Sequence, residues 1–287
     1  RNISNITEIT KLMDESKATG IMTLGPDVNE SLLKFSVNRK GDIRFGLGAI
    51  KGVGESAVQS ILEERAKDGP FTDIFDFVQR VNLSSCNRKN IENLALAGAF
   101  DGFTGIKRED FFMVNAKGET FTEVLVRYGN KYQVDKVQAA NSLFGGENMV
   151  EMATPEIVSA PEWSDLDKLN KERDLVGIYL SAHPLDEFRI ILEHVCNVRM
   201  VDLTNLTPLQ NRDLILGGIV TGCREGYTKN GKPYGIAKVE DYSGSYEFAF
   251  FGNEWLEKKN YFNIGMFLFM KGKCQPRQWK QDEYEVK

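Results

Sequence analysis

The sequence is short of cysteine, histidine and long apolar runs, and each shortage closes off a class of function. Its four cysteines, Cys86, Cys196, Cys223 and Cys274, are scattered over 287 residues without a C-x-x-C pair, which argues against a zinc site and a disulfide framework. The two histidines, His183 and His194, form no metal-ligand spacing, so no metal site is expected. No apolar run approaches the ~18–20 residues of a membrane span, and no signal-peptide pattern opens the chain. A reduced, cytoplasmic protein without a membrane partner is expected. A strong charge of one sign is also missing. The net charge is −5, and most of it belongs to residues 145–210, with 12 Asp/Glu against 5 Lys/Arg. Residues 38–110 balance 11 against 11, and 213–287 hold 11 Lys/Arg against 10 Asp/Glu. A nucleic-acid partner would be held by local patches and not by bulk charge.

What is present is two kinds of pattern. Up to about residue 195 the apolar residues mostly recur at helical spacing. Ile6, Ile9, Leu12 and Met13 predict a helix over 6–19, "IMTLGPDV" a short strand, and residues 43–116 a series of short helices. Thr72 is the expected cap of a helix that buries Ile74, Phe75, Val78 and Val81. Residues 117–144 read as polar helix or loop, 145–162 as a linker, and "WSDLDKLNKERDLVGIYL" as a capped helix. From Asp213 the period changes to two: "LILGGIV", "YGIAKVED", "YEFAFFG", "MFLFMKGKC" and "EYEV" are strands, with Asn230-Gly231 as a hairpin turn. Five strands with the helix-like "GNEWLEKKNYF" between the third and fourth suggest an OB-type barrel. Phe248, Phe250, Phe267 and Phe269 are expected in its core. The fold class is thus multidomain α+β, a helical module followed by a five-stranded OB-fold β-barrel. The chain opens at Arg1 without Met and stops inside a strand pattern, so a piece of a longer polypeptide is expected.

"AIKGVGESAVQSI" is the most informative stretch. It matches neither the Walker A spacing nor the dinucleotide fingerprint, since Lys51 stands where the third glycine of the latter belongs. It reads as a short helix, a tight glycine hairpin and a second helix. Glycines let backbone approach a phosphate, and the second helix points its unpaired N–H groups at an anion. Lys51, Gly52, Val53, Gly54 and Ser56 are the candidate contacts. A glycine turn that merely joins two packed helices remains open. A weaker copy follows in "NIENLALAGAFDGF", with Gly98-Ala99-Phe100 in the hairpin place. Two such hairpins would bracket the strands of a duplex through backbone phosphates, without reading sequence.

These stretches resemble the alpha subunits of bacterial DNA polymerase III, the C-family replicative polymerases. The matching residues are "GPDVNES", "IRFGLGAIKGVGESAV", "PFTDIFDFVQRV", "LALAGAFDGF", "ERDLVGIYLSAHPLDEF" and "VEDYSGSYEFAFF", in family order. The resemblance implies the end of a fingers region (1–37), a tandem helix-hairpin-helix module (38–116), a clamp-binding segment and linker (117–162), a helical connector (163–212) and an OB domain (213–287). It implies duplex and single-stranded DNA, the sliding clamp and other polymerase III holoenzyme subunits as partners. The parent enzyme extends primers by Mg²⁺-dependent nucleotidyl transfer.

The resemblance places a clamp-binding peptide at Ser142-Leu143-Phe144, with Ala140 where the family favours Gln. In the barrel, Arg224, Tyr227, Lys229, Lys232 and Tyr234 in one loop region and Arg277, Trp279 and Lys280 in another suit single-stranded DNA. Solvated hairpin charges beside half-buried rings are the simpler alternative. No catalytic residue is assigned. The one Asp-x-Asp, Asp165-Leu166-Asp167, follows Ser164 as a helix cap would, so the stretch is expected to bind without catalysing and to hold no cofactor. A repair or ligase-type accessory protein built from the same modules is the alternative function. An RNA-binding appendage such as a tRNA-synthetase OB domain is a third, but it leaves the paired hairpins unexplained.

Overall fold

The computed structural model describes residues 12–13, 15–16, 19–141, 153–277 and 280–287. Its contacts fall into two units that divide between Ala182 and His183. The expected connector 163–212 straddles that boundary, with 163–182 in the first unit and 183–212 in the second.

In the first unit, apolar residues three and four apart build short helices. α1 (Glu55–Asp68) buries Ala57, Val58 and Ile61. α2 (Ile74–Arg80) buries Ile74, Phe77 and Val78. Its cap is Asp73 and not Thr72: the Asp73 carboxylate accepts from the N–H groups of Phe75 and Asp76, while Thr72 donates its own N–H to Asp76. An ionised oxygen is the stronger acceptor for those amides. α3 (Arg88–Leu96) starts from Asn87. α4 (Phe121–Asn141) is one continuous helix, where the polar composition had left helix or loop open; it buries Phe121, Leu125 and Tyr128. α5 (Asp165–Val176) begins at Ser164, whose hydroxyl oxygen accepts from the Asp167 N–H, and ends at Gly177 in the left-handed region. The helix expected over 6–19 lies largely outside the described residues, and 153–162 holds neither helix nor strand.

These helices share an aromatic core. Phe77 meets Phe71 and Phe100 edge-on, each at 5.0 Å between ring centroids, and Phe100 stacks on Phe103 and Phe111. A small sheet of β1 (Thr23–Leu24), β2 (Ser36–Val37) and β3 (Ile43–Arg44) runs in the order β1-β3-β2. The "GPDVNES" stretch staples it to the helices. Val28 N–H donates to Ala99 C=O, Asn29 exchanges two hydrogen bonds with the Phe71 backbone, and Ser31 Oγ donates to Phe45 C=O. Residues 20–37 therefore share the core of 38–116 and are not a separate body.

The second unit is an antiparallel sheet in the order β6-β5-β4-β7-β8. Its strands are β4 (Asp213–Tyr227), β5 (Pro233–Asp241), β6 (Gly244–Phe251), β7 (Phe267–Arg277) and β8 (Lys280–Val286). β4 is long because its first half pairs with β7 and its second with β5, with a register shift between Val220 and Gly222. At the bend, a Cβ on Gly218 would stand 2.7 Å from Glu240 C=O, so only glycine permits that approach. The sheet curls into a half-barrel of OB type around Leu216, Val239 and Phe248. α6 (Arg189–His194) lays Leu192 over Gly217, and α7 (Asn253–Lys258) stands between β6 and β7 in the chain. Phe248 and Phe250 line the core. Phe267 and Phe269 instead share the outer face of β7, where Phe188 stacks on Phe267 at 3.9 Å and leaves Phe269 exposed. The expectation that Phe267 and Phe269 are core is corrected on that ground, Phe267 being half-buried under Phe188 and Phe269 exposed.

Candidate nucleic-acid interface

The hairpin is built by local turns and held from outside. A 3-10 turn, Leu47–Ala49, stands where a first helix was expected, and Val53 N–H closes onto Ile50 C=O. Gly52 has φ +78°, whereas Gly54 is extended at φ −73° and caps α1 without any side-chain hydrogen bond. Lys51, Gly52, Gly54 and Ser56 are exposed, and Val53 turns inward. The Glu55 and Ser56 N–H groups, in the first turn of α1, have no carbonyl ahead of them in the helix. They lie at the positive end of a 14-residue dipole.

Three contacts from distant segments fix this loop. Asn90 Oδ1 accepts from Gly54 N–H at 3.3 Å, and Asn93 Nδ2 donates to Lys51 C=O at 3.3 Å. Lys51 N–H donates to Leu175 C=O in the last turn of α5, at 2.9 Å. The two asparagines, three residues apart, share one face of α3. Sequence reading missed both, although "NRKNIEN" carries them at helical spacing directly before the second glycine stretch.

The second hairpin has a different role from the one its sequence suggested. Gly98, Ala99 and Phe100 are all buried, and turns follow them until a 3-10 segment at Arg108–Phe112. Ala99 C=O is taken by Val28, and a Cβ on Gly98 would stand 2.3 Å from the Arg108 guanidinium. Arg108 in turn binds Asp101 and Glu172. Burial pulls the Arg108 pKa down, but hydrogen bonds and charge from Asp101, then Glu172, more than offset it and hold it above its ordinary value. Gly98, Ala99 and Phe100 are therefore corrected from phosphate contacts to core: their surface is spent on the protein itself.

On the half-barrel, the register brings Arg224, Tyr234, Lys238, Glu247 and Phe251 to one outer face of β4, β5 and β6. Tyr227 is 77% exposed, Lys229 and Lys232 are exposed in the hairpin loop, and Tyr234 is half-buried with its ring 6.2 Å from that of Phe251. Arg224 is paired with Glu247 at 3.1 Å. Phe251, 57% exposed, was missed; alternation with buried Phe248 and half-buried Phe250 was the signal that could have shown it. The backbones of Arg277 and Lys280 pair across the β7–β8 turn. Trp279, Ser142, Leu143 and Phe144 lie outside the described residues.

Among the described residues no group of three His, Cys, Asp or Glu side chains could hold a metal ion. Asp167 closes the Ser164 cap, and His183 Nδ1 accepts from Leu185 N–H while its ring packs on Tyr242. Among the described residues the Mg²⁺ implied for the parent enzyme therefore has no such group to hold it.

Comparison with known proteins bears on both units. A family model described as the helix-hairpin-helix motif matches residues 20–111. Across 90% of this chain, the DNA polymerase III subunit alpha of Vibrio cholerae is 33% identical. The subunits of Mycobacterium leprae and Escherichia coli K12 are 35% and 31% identical over 81% and 87% of it. The chain belongs to the DNA polymerase III alpha subunit family. It spans about a fifth of those relatives' length, 22%, 19% and 21% respectively. In this member of the family the helix-hairpin-helix match takes in "GPDVNES" as well as the glycine hairpin, in keeping with the core that both share.

Proposed function

We propose that this chain is a non-catalytic, DNA-holding part of a replicative polymerase. The observation that carries the reading is the exposed Lys51–Ser56 turn, with uncapped amides at the start of α1, inside a helix-hairpin-helix match. Main-chain donors and Lys51 grip a backbone phosphate without reading bases. A near-neutral segment can bind DNA in this way because its donors are amides. The parent enzyme extends primers, and energy spent on holding DNA keeps it from leaving between additions.

The two hairpin glycines separate this role from a purely structural one. Gly54→Ala meets nothing nearer than Ser56 Oγ at 3.9 Å and keeps an ordinary φ, so its cost to the fold should stay under about 1 kcal/mol, alanine being a poorer N-cap than glycine but less flexible in the unfolded chain. Its new methyl faces the phosphate, so affinity for a duplex oligonucleotide should drop about tenfold or more. Gly52→Ala forces a side chain into the left-handed region, 2.5 Å from Asn93 Nδ2, and should cost about 1–3 kcal/mol of stability. Unchanged duplex binding in Gly54→Ala, measured by fluorescence anisotropy, would sink the reading.

Two finer roles belong to the same proposal. Ser142-Leu143-Phe144 docks the sliding clamp, an apolar pair entering a pocket after α4. Replacing Leu143 and Phe144 by Ala should weaken clamp binding about thirtyfold or more, the scale of a hot spot, and leave duplex binding intact; equal clamp affinity would refute the assignment. The half-barrel takes single-stranded template through Arg224, Tyr227, Lys229, Lys232, Tyr234, Arg277, Trp279 and Lys280. An exposed Tyr227 beside loop lysines supports stacking with backbone attraction.

A further inference from the structure

We propose that Lys89 is a second phosphate-gripping cation of the hairpin site, an inference that rests on the duplex reading above. α3 lies alongside the hairpin. Asn93 touches Lys51 and crowds Gly52, and Asn90 holds Gly54, so the two strings of residues run in opposite directions past each other. Lys89 stands four residues before Asn93, on the same stripe of α3, and directly before Asn90. Side chains at that spacing are neighbours about 5–6 Å apart at Cβ. The flexible four-carbon stem of lysine then carries its ammonium alongside the hairpin.

The charges around it favour this role. The neighbouring Arg88 is committed to Glu92 and Glu123. Arg80 is bound to Asp76, and Arg108 to Asp101 and Glu172. Lys51 and Lys89 are exposed and have no ion pair among the described residues. Glu55, next to Gly54, puts one negative charge at the start of α1. Lys51 alone would only cancel it; Lys51 and Lys89 together leave a net positive site for the phosphodiester backbone. Lys89 thus contacts a phosphate beside the one held by the hairpin amides.

The test is a salt titration of duplex binding by the full 287-residue chain. Each neutralised phosphate contributes ~0.9 to the slope of log affinity against log salt concentration. Lys89→Ala should reduce the slope by about that amount, as should Lys51→Ala, and Lys89→Arg should restore it. Lys117→Ala, in the exposed turn between Val114 and Thr120, should leave it unchanged. An unaltered slope in Lys89→Ala alongside a reduced one in Lys51→Ala overturns the inference and leaves the duplex reading standing. An unaltered slope in Lys89→Ala overturns the inference whatever Lys51→Ala does, and if Gly54→Ala leaves duplex affinity unchanged, the duplex reading falls and this inference with it.

Discussion

Glu172→Ala should remove about 3–5 kcal/mol from the stability of the helical unit, a large part of the ~5–15 kcal/mol that a domain has. The Glu172 side chain is 1% exposed, yet it is fully occupied. Its oxygens accept from Leu180 N–H at 2.8 Å, Ser181 N–H at 2.9 Å, Ser181 Oγ at 2.5 Å and Arg108 Nη1 at 3.1 Å. Truncation takes the acceptor from the part-buried Leu180 and Ser181 amides and the Ser181 hydroxyl, and the largely buried Arg108 keeps only the half-exposed Asp101. Glu172→Gln, which keeps the shape and one acceptor, should fall between the wild type and alanine. The consequence reaches the hairpin, because the same helix end supplies the Leu175 carbonyl that receives the Lys51 N–H. Duplex affinity should therefore fall along with stability. Urea unfolding followed by far-UV circular dichroism measures the first effect; a loss under ~1 kcal/mol would show that the carboxylate is dispensable.

Trp255→Ala should cost the half-barrel about 3–5 kcal/mol. Trp255 is 3% exposed, stacks on Phe262 at 6.1 Å and donates its Nε1–H to Glu225 at 3.3 Å. The indole lies flat against Gly235 of β5, where an added Cβ would stand 2.3 Å from two of its ring atoms. Gly235→Ala should itself cost about 1–3 kcal/mol by overpacking. The two effects share one cause, so the double variant should be less destabilised than the sum of the singles. Thermal melts of the four proteins test this, and strict additivity would show that the ring and the glycine act independently. Gly235 follows Tyr234, so the indole also steadies the strand that carries a proposed stacking ring.

Much of the architecture can be read from local pattern. Helical spacing of Ala57, Val58 and Ile61, the Ser164 cap, alternation around Phe248 and the Asn230-Gly231 turn all act within a few residues, and each appears as the pattern implies. The first glycine turn was legible for the same reason: a tight turn before an amphipathic helix states its own geometry. Thr72 against Asp73 shows the limit even at short range, since both can cap and the choice depends on which oxygen the amides meet.

Element types, the change from helical to strand period and the first glycine turn follow from local pattern alone. The tertiary structure alone decided which glycine turn faces solvent. "KGVGES" and "LAGAFDG" look alike as strings, but Val28, some 70 residues upstream, and Arg108 with the distant Glu172 bury the second and leave the first free. Asn90 and Asn93 became supports of the hairpin only when α3 lay alongside it. Phe269 and Phe251 became surface only when the sheet curled and Phe188 covered Phe267. Short-range propensity acts through neighbouring residues along the chain, whereas exposure depends on contacts between segments far apart in sequence.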